Sequence, residues 1–181
     1  MRIISGKFGG RHLVDFKADH IRPTTDRVKE SLFNILMSEI EGAQVLDLFA
    51  GTGNLGIEAY SRGATAVTFV EKNRKSVKII RENLRLLQIS ENVKLLEEDV
   101  FSFLKKCDEL FNIVLIDPPF TEEFGDEVMQ AVSESTLVNQ QDLVVAIETA
   151  KKELIRDVYG PLSLDTRRNY GDKNLSVFRR K

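Results

Sequence analysis

Residues 117–120, with the sequence Asp-Pro-Pro-Phe, combine three groups that could act on an amine. The Asp117 carboxylate and the Pro118 carbonyl can each accept a hydrogen bond from an NH2 group, and the consecutive prolines, Pro118 and Pro119, restrict φ and fix that carbonyl. Phe120 can stack on a planar base. The exocyclic amine of a nucleobase is a poor nucleophile because its lone pair is delocalised into the ring, and two acceptors would localise it. We predict that these four residues are catalytic, with Asp117 accepting the proton that the amine loses.

A glycine-rich segment, residues 47–56, has the sequence Asp-Leu-Phe-Ala-Gly-Thr-Gly-Asn-Leu-Gly. Glycines 51, 53 and 56 satisfy the pattern G-x-G-x-x-G, in which glycine lets the backbone turn tightly and approach a ligand closely. Glu71 ends the next predicted strand, at the distance from Gly51 where this pattern places a carboxylate that binds ribose hydroxyls. The segment alone is compatible with a dinucleotide and with S-adenosylmethionine.

Three features favour S-adenosylmethionine as the cofactor. The Asp47 carboxylate can accept from the ammonium at the cofactor's amino-acid end, whereas it would repel a pyrophosphate at a helix N-terminus. Asp99 and the backbone N–H of Val100 follow the third predicted strand and could bind the edge of an adenine. Residues 117–120 follow the fourth strand. The predicted cofactor-binding residues are Asp47, Phe49, Gly51, Gly53, Asn54, Glu71, Lys72, Asp99 and Val100.

Apolar segments that alternate with helical patterns must position these residues. Continuous apolar runs are typical of strands buried on both faces of a parallel sheet, and they occur at 44–48, 66–71, 93–97, 112–116 and 143–147. Apolar residues at helical spacing predict helices over 55–62, 74–87, 100–106 and 124–135. Residues 162–170 and 175–180 predict a closing hairpin. We predict an α/β, Rossmann-like fold, with a mostly parallel seven-stranded sheet and helices on both faces.

The N-terminal part of the chain, residues 1–43, departs from this alternation. Residues 2–14 have two short apolar pieces around a glycine-rich turn, which predicts a β-hairpin. Residues 25–40 have the pattern of an amphipathic helix. We predict an N-terminal β-hairpin appendage over residues 1–21, and a single catalytic domain over residues 22–181.

Composition narrows the class of protein. A chain of 181 residues, 42% hydrophobic and 30% charged, is long enough for one well-packed domain. No apolar run approaches the roughly 18 residues of a membrane span and the N-terminus lacks an apolar secretory core, so we expect a cytoplasmic protein. The single cysteine, Cys107, and two histidines give no metal-ligand spacing, so we expect no metal.

Charge is distributed unevenly along the chain. The formal net charge is -2, but residues 1–29 carry +4 and residues 167–181 carry +5, which leaves -11 for the middle. Both basic ends could meet a polyanion on one face while the acidic middle repels it. A solvated surface with frayed basic ends would have the same composition.

Segments spread over nearly the whole chain resemble the RsmD family of bacterial 16S rRNA guanine-N2 methyltransferases. In order they are Arg2-Ile-Ile-Ser-Gly6 with Gly10-Arg11, Arg22-Pro-Thr-Thr-Asp-Arg-Val-Lys-Glu-Ser-Leu-Phe33, Leu46-Asp-Leu-Phe-Ala-Gly-Thr-Gly-Asn-Leu-Gly-Ile-Glu-Ala59, Asp117-Pro-Pro-Phe120 and Tyr170-Gly171. The second and third are the specific ones, since Asp-Pro-Pro-Phe occurs in many N-methyltransferases. The resemblance implies a class I S-adenosylmethionine-dependent methyltransferase.

The resemblance also implies a substrate and the residues that contact it. The substrate would be N2 of one guanine in 16S rRNA, within an assembled or assembling 30S subunit. The implied RNA-binding residues are Arg2, Lys7, Arg11, Arg22, Arg27, Tyr170 and Lys173. From the residues alone, methylation of adenine N6 or of protein glutamine, and a non-catalytic or NAD-binding Rossmann module, are the alternatives.

Overall fold

An eight-stranded sheet forms the centre of the protein, in a computed structural model that describes residues 1–14, 26–119 and 123–181. The strands are β1 (Gln44–Leu48), β2 (Ala66–Val70), β3 (Val93–Leu96), β4 (Ile113–Ile116), β5 (Val144–Ala150), β6 (Val158–Tyr159), β7 (Leu162–Tyr170) and β8 (Lys173–Arg180). The helices are α1 (Asp26–Ile35), α2 (Met37–Ile40), α3 (Asn54–Ser61), α4 (Arg74–Leu86), α5 (Val100–Lys106), α6 (Gly125–Glu134) and a 3-10 helix (Thr136–Asn139). None of the helices in these described ranges has the length and apolar character that crossing a membrane requires.

The strand order is β3-β2-β1-β4-β5-β8-β7-β6, with β1 to β5 parallel and β6 to β8 antiparallel at one edge. This is the predicted mostly parallel sheet with its closing hairpin, and it has one strand more than predicted. The extra strand, β6, is two residues long, which is too short for an apolar period to mark it.

Helices cover both faces of the sheet, which explains why its central strands are apolar throughout. Along β1, Val45 joins the core on the side of α1, α3 and α4, and Leu46 joins the core on the side of α5 and α6. All four residues of β4 are buried. Two hydrophobic cores therefore hold the sheet from opposite sides and fix the ends of its strands.

Residues 1–14, which we call the N-terminal segment, pack against α3. The predicted hairpin is reduced to one antiparallel bridge, between Arg2 and His12, around a turn that contains Gly6 and Gly10. Ile3 and Leu13 are buried in the core on the α3 side. The predicted domain boundary at residues 21 and 22 and the predicted RNA contact Arg22 lie outside the described residues.

The helix predicted over residues 25–40 is interrupted in the structure. It forms α1 and α2, separated by Leu36, whose ψ of 3° departs from helical geometry while its side chain stays fully buried. Because the periodicity of the buried residues continues across Leu36, the sequence did not reveal this break.

The carboxyl ends of the parallel strands meet at one edge of the sheet. Leu48 of β1 is paired with Ile116 of β4 and with Val70 of β2, and Val70 is paired with Leu96 of β3. The residues that follow these strands therefore leave the sheet side by side, at the edge where open α/β sheets bind ligands.

Candidate active site

Asp117 and Phe49 each follow the last residue of neighbouring strands, β4 and β1. Asp117 is half-buried, Pro118 is buried and Pro119 is exposed. Phe120, the fourth predicted catalytic residue, lies outside the described residues. The register of β1 against β4 thus brings the Asp-Pro-Pro sequence to the start of the glycine-rich segment, residues 47–56, which we call the cofactor loop.

The carboxyl group of Asp47, the first residue of the cofactor loop, contacts the last residue of that loop. Asp47 is 1% exposed and its Oδ2 accepts a hydrogen bond from the backbone N–H of Gly56 at 2.8 Å. Burial raises the pKa of Asp47 to about 8, the Gly56 N–H opposes this shift, and the nearby carboxyl groups of Asp117 and Glu71 add to it. In the absence of a ligand Asp47 therefore keeps its proton up to about pH 8, and a bound cation would favour its charged form.

Glu71 ties the end of β2 to the cofactor loop. Its Oε2 accepts from the backbone N–H of Gly51 at 2.8 Å, and its Oε1 accepts from the backbone N–H of Asn73 at 2.7 Å. Gly51 and Gly53 have left-handed φ values of 56° and 79° that favour glycine, and Gly53 is the residue before α3. The loop is thus held open by glycine geometry and anchored by one carboxylate.

Asp99 is the residue before α5, separated from the end of β3 by two residues, and Val100 is the first residue of the helix. Asp99 caps the helix, since its Oδ1 accepts from the backbone N–H of Ser102 at 3.1 Å. Its Oδ2 lies 3.8 Å from the ammonium of Lys72, whose side chain is largely exposed. Val100 is buried. Asp99, one of the two residues predicted to contact the adenine, therefore also has a structural role, because its side chain caps α5.

Three phenylalanine rings meet beside this edge of the sheet. Phe49 is 6.5 Å from Phe124, centroid to centroid, with an interplanar angle of 18°, and Phe101 lies nearly perpendicular to both at 6.5 and 5.8 Å. Phe49 has a φ of 58°, which is unusual for a residue with a side chain and is typical of functional sites. Phe101 and Phe124 were not predicted as site residues, although each lies close in the sequence to a predicted one.

Asn54 begins α3 and is buried. Its Oδ1 accepts from the ammonium of Lys29 at 2.8 Å, and that ammonium also lies 3.3 Å from Oε2 of Glu58. Burial lowers the pKa of Lys29, while Glu58 opposes this shift. Sequence reasoning missed Lys29 and Glu58, because a charged residue inside an amphipathic helix gives no sign that its partner lies on another helix.

Five of the predicted RNA-binding residues lie on two parts of the surface: Arg2, Lys7, Arg11, Arg27 and Tyr170. The ammonium of Lys7 is 4.3 Å from the centroid of the Tyr60 ring, and the guanidinium of Arg11 is 5.7 Å from that of Phe8. Arg2 is exposed and pairs with Asp26 at 3.0 Å. These side chains form a basic and aromatic surface on the N-terminal segment.

The second part joins α1 to the β7–β8 hairpin. The guanidinium of Arg27 is 6.0 Å from the centroid of the Tyr170 ring, and the hydroxyl of Tyr170 hydrogen-bonds that of Ser31. Lys173 differs from the other predicted RNA contacts, because its side chain is 3% exposed and its ammonium pairs with the buried carboxylate of Glu148. Contact between Lys173 and RNA would require this buried pair to separate, so the predicted role of Lys173 as a surface RNA contact does not agree with the structure.

Comparison with known proteins places this geometry in a family. The family model described as "Conserved hypothetical protein 95" matches residues 1–179. The Bacillus subtilis protein YlbH, named as an rRNA methyltransferase, is 32% identical over 184 residues and covers 100% of both chains. Ribosomal RNA small subunit methyltransferase D of Haemophilus influenzae is 37% identical over 154 residues, which is 83% of this chain and 79% of that protein. This chain belongs to the RsmD family.

A solved structure agrees with the RsmD assignment. The Escherichia coli protein yhhF, named as a methyltransferase, is 33% identical, has a TM-score of 0.87 and covers 100% of this chain and 98% of its own. The predicted class I methyltransferase fold is confirmed. In this RsmD-family chain, the described part shows no cluster of three or more His, Cys, Asp or Glu side chains that could hold a metal ion.

The site of this RsmD-family chain contains groups suited to a cationic cofactor. Four acidic residues lie at or just beyond the carboxyl ends of four adjacent strands: Asp47, Glu71, Asp99 and Asp117. Asp47 and Glu71 are buried. Burial, with a smaller contribution from the carboxyl groups of Asp117 and Glu71, raises the pKa of Asp47, and an ammonium or sulfonium group beside it would favour its charged form. A pyrophosphate would disfavour that charged form. The described residues therefore fit S-adenosylmethionine better than a dinucleotide.

Proposed function

We propose that this chain transfers a methyl group from S-adenosylmethionine to the exocyclic N2 of a guanine in 16S rRNA of the small ribosomal subunit. The observation that carries the proposal is the position of Asp117 and Pro118 directly after β4, beside the cofactor loop that follows β1. The names of the relatives support rRNA as the substrate, and the Asp-Pro-Pro sequence supports an amine nitrogen as the acceptor.

The cofactor would be held by the acidic ends of the strands. Glu71 would bind ribose hydroxyls, Asp47 would receive the amino-acid end, and Asp99 with the N–H of Val100 would bind the adenine edge. S-adenosylmethionine supplies an electrophilic methyl group on a sulfonium. Because Asp47 and Glu71 are already fixed by backbone N–H groups, little reorganisation is needed when the cofactor binds.

The chain's own residues would activate the guanine amine. The Asp117 carboxylate and the Pro118 carbonyl would each accept one N–H of the NH2 group, which directs the nitrogen lone pair away from both acceptors and toward the methyl group. The nitrogen–methyl bond would form as the sulfur–methyl bond of the cofactor breaks to leave a neutral thioether; Asp117 would stabilise the positive charge that develops on nitrogen and take one of its protons. Phe120 would stack on the base. Holding the two reactants in line supplies a large part of the acceleration.

Substrate RNA would lie across the two basic surfaces described above. Lys7 and Arg11 on the N-terminal segment, together with Arg27 and Tyr170 on the second surface, would contact phosphates or stacked bases. Since the middle of the chain is acidic, these surfaces confine a polyanion to one side of the protein.

One experiment tests the reaction and the target together. Purified protein and methyl-labelled S-adenosylmethionine are incubated separately with unmethylated 30S subunits, free 16S rRNA, duplex DNA and ribosomal protein, and labelled RNA is digested to nucleosides for mass spectrometry. We expect labelled N2-methylguanosine from 16S rRNA or 30S subunits. Labelled N6-methyladenosine or labelled protein would refute the proposed target, and binding of NAD without binding of S-adenosylmethionine would refute the proposed cofactor.

A further inference from the structure

The N-terminal segment is joined to the cofactor loop through the side chain of Asn83 on α4. Asn83 is fully buried, its Oδ1 accepts from the backbone N–H of Val14 at 2.7 Å, and its Nδ2 donates to the backbone carbonyl of Thr52 at 3.1 Å. One amide thus links the last described residue of the N-terminal segment to the middle of the cofactor loop.

A second link joins the other end of the segment to the same loop. The Lys29 ammonium, on α1, donates to the backbone carbonyl of Arg2 at 2.5 Å and to Oδ1 of Asn54 at 2.8 Å. The Lys29 side chain is 1% exposed, and its charge is balanced by Glu58, 3.3 Å away. Glu58 also accepts from the backbone N–H of Ile4 at 2.7 Å.

Both ends of the N-terminal segment are therefore connected to the same short stretch of the cofactor loop, at Thr52 and Asn54. Each connection runs through one buried side chain from a third element. A buried hydrogen-bonding group that loses its partner destabilises the protein, and it does so more strongly if the group is charged. Displacement of the segment would remove the Arg2 carbonyl from Lys29 and the Val14 N–H from Asn83, so movement of the segment is coupled to movement of the loop.

We infer that Lys29 and Asn83 are positioning residues that couple the N-terminal segment to the cofactor loop, so that RNA bound to the segment and S-adenosylmethionine bound to the loop strengthen each other's binding. This inference rests on the proposed function. Coupling between two binding sites is reciprocal, so each ligand must raise the affinity for the other by the same factor. The N-terminal segment is then part of the cofactor site rather than an appendage to it.

The test is the dissociation constant of S-adenosylhomocysteine, which lacks the transferable methyl group and so cannot react, measured by calorimetry with and without saturating 16S rRNA. In the unaltered protein we expect RNA to tighten cofactor binding by about fivefold or more, the lower end of typical coupling. Lys29→Met keeps the length of the side chain and leaves Glu58 paired with Arg62 at 2.7 Å. Asn83→Leu removes the second link. In each variant we expect the ratio of the two constants to fall to about 1.

Arg179→Met is the matched control, because it breaks an ion pair with Glu39 and Asp165 that lies among β8, β7 and α2. This control should keep the ratio of the unaltered protein. A general loss of stability would weaken ligand binding equally with and without RNA, so the ratio of the two dissociation constants would not change. Near-ultraviolet circular dichroism would show which variants remain folded. If one link variant fails to fold, the other still decides the outcome.

Two results would overturn the inference while leaving the proposed function intact. One is an unaltered protein that methylates rRNA but binds the cofactor equally well with and without RNA. The other is a link variant that folds and retains the full ratio, which would mean that RNA and cofactor are coupled only by direct contact in the active site. Absence of S-adenosylmethionine binding in the unaltered protein would instead refute the proposed function, and the inference with it.

Discussion

The buried carboxyl group of Asp47 accepts the backbone N–H of Gly56, so that the last residue of the cofactor loop is held to the strand from which the loop departs. The pKa of Asp47 is raised from 3.8 to about 8, mainly by burial. Between these values the folded chain retains a proton that the unfolded chain has released. The contribution of Asp47 to the free energy of unfolding is therefore fully present below pH 3.8 and is lost as the pH rises through about 8.

Asp47→Asn should remove this pH dependence, because an amide oxygen can still accept the Gly56 N–H but carries no charge. Without cofactor, the melting temperatures of the two proteins should be close at pH 4, and the variant should melt higher at pH 9. A gain of about 1 kcal/mol would correspond to roughly 2 to 4 °C in a chain of this size. Thermal unfolding from pH 4 to pH 9 checks this, and parallel curves for the two proteins would contradict it.

Replacement of Asp117, the carboxylate that we propose to be catalytic, should separate the chemical step from cofactor binding. Asp117→Ala removes an acceptor of the substrate amine, so the rate of methyl transfer should fall about 10²- to 10⁴-fold. The dissociation constant of S-adenosylmethionine should change by less than about threefold, since a single partly exposed carboxylate contributes modestly to binding. Single-turnover rates and calorimetry measure the two quantities. Asp108→Ala, at an exposed position, should change neither, and equal rates in Asp117→Ala and the unaltered protein would refute the assigned role.

Glu71 should matter for binding rather than for the chemical step. Glu71→Gln replaces a charged acceptor of the Gly51 N–H and of ribose hydroxyls by a neutral amide, which donates on one side. We expect S-adenosylmethionine to bind about 10-fold more weakly, the effect of losing one charge-assisted hydrogen bond. The control is Glu97→Gln, whose carboxylate pairs at the surface with Arg74. Comparable weakening in both variants would mean that net charge, and not the position of Glu71, determines affinity.

Two glycines of the N-terminal segment offer a matched test of how that segment docks. Gly6 and Gly10 have φ values of 82° and 83°, so alanine causes the same backbone strain at both. A Cβ at Gly6 would lie 1.8 Å from the backbone oxygen of Ser61, whereas a Cβ at Gly10 would meet nothing within 4 Å. Gly6→Ala should destabilise the protein by about 1 to 3 kcal/mol more than Gly10→Ala, as overpacking does.

Urea unfolding of the two alanine variants measures the difference in the free energy of unfolding. Because Gly6 also lies beside Ser61 of α3, we expect Gly6→Ala to weaken binding of S-adenosylmethionine as well, through displacement of the N-terminal segment. Equal stability of the two variants would show that the segment can move away from α3 at no cost, contrary to its buried contacts.

Most of the sheet could be predicted from the sequence because its central strands are buried on both faces. Ile113–Ile116 has no polar alternation, and a run of this kind between helical patterns has few alternatives. The cofactor loop and Glu71 were predictable for a related reason, since glycine and carboxylate spacing is local and is repeated in every fold of this class. These two kinds of pattern require no knowledge of distant contacts.

The buried polar residues could not be predicted, because their partners are distant in the sequence. Lys29 and Glu58 are buried only because the Arg2 and Ile4 backbone, Asn54 and Arg62 compensate them. The same holds for Lys173, which the family resemblance implied as an RNA contact and the structure places against Glu148. Phe101 and Phe124 likewise become neighbours only after β1, α5 and α6 have packed together.

The partners of the N-terminal segment also set an order of events during synthesis. Its backbone groups are satisfied by Glu58, Ser61 and Asn83, which belong to α3 and α4 and are made much later than the segment itself. A chain made from its N-terminus at about 5 to 20 residues per second therefore exposes the segment for several seconds before α3 and α4 emerge to receive it. Residues 1–14 thus leave the ribosome before α3 and α4 and reach their final place only after those helices have formed.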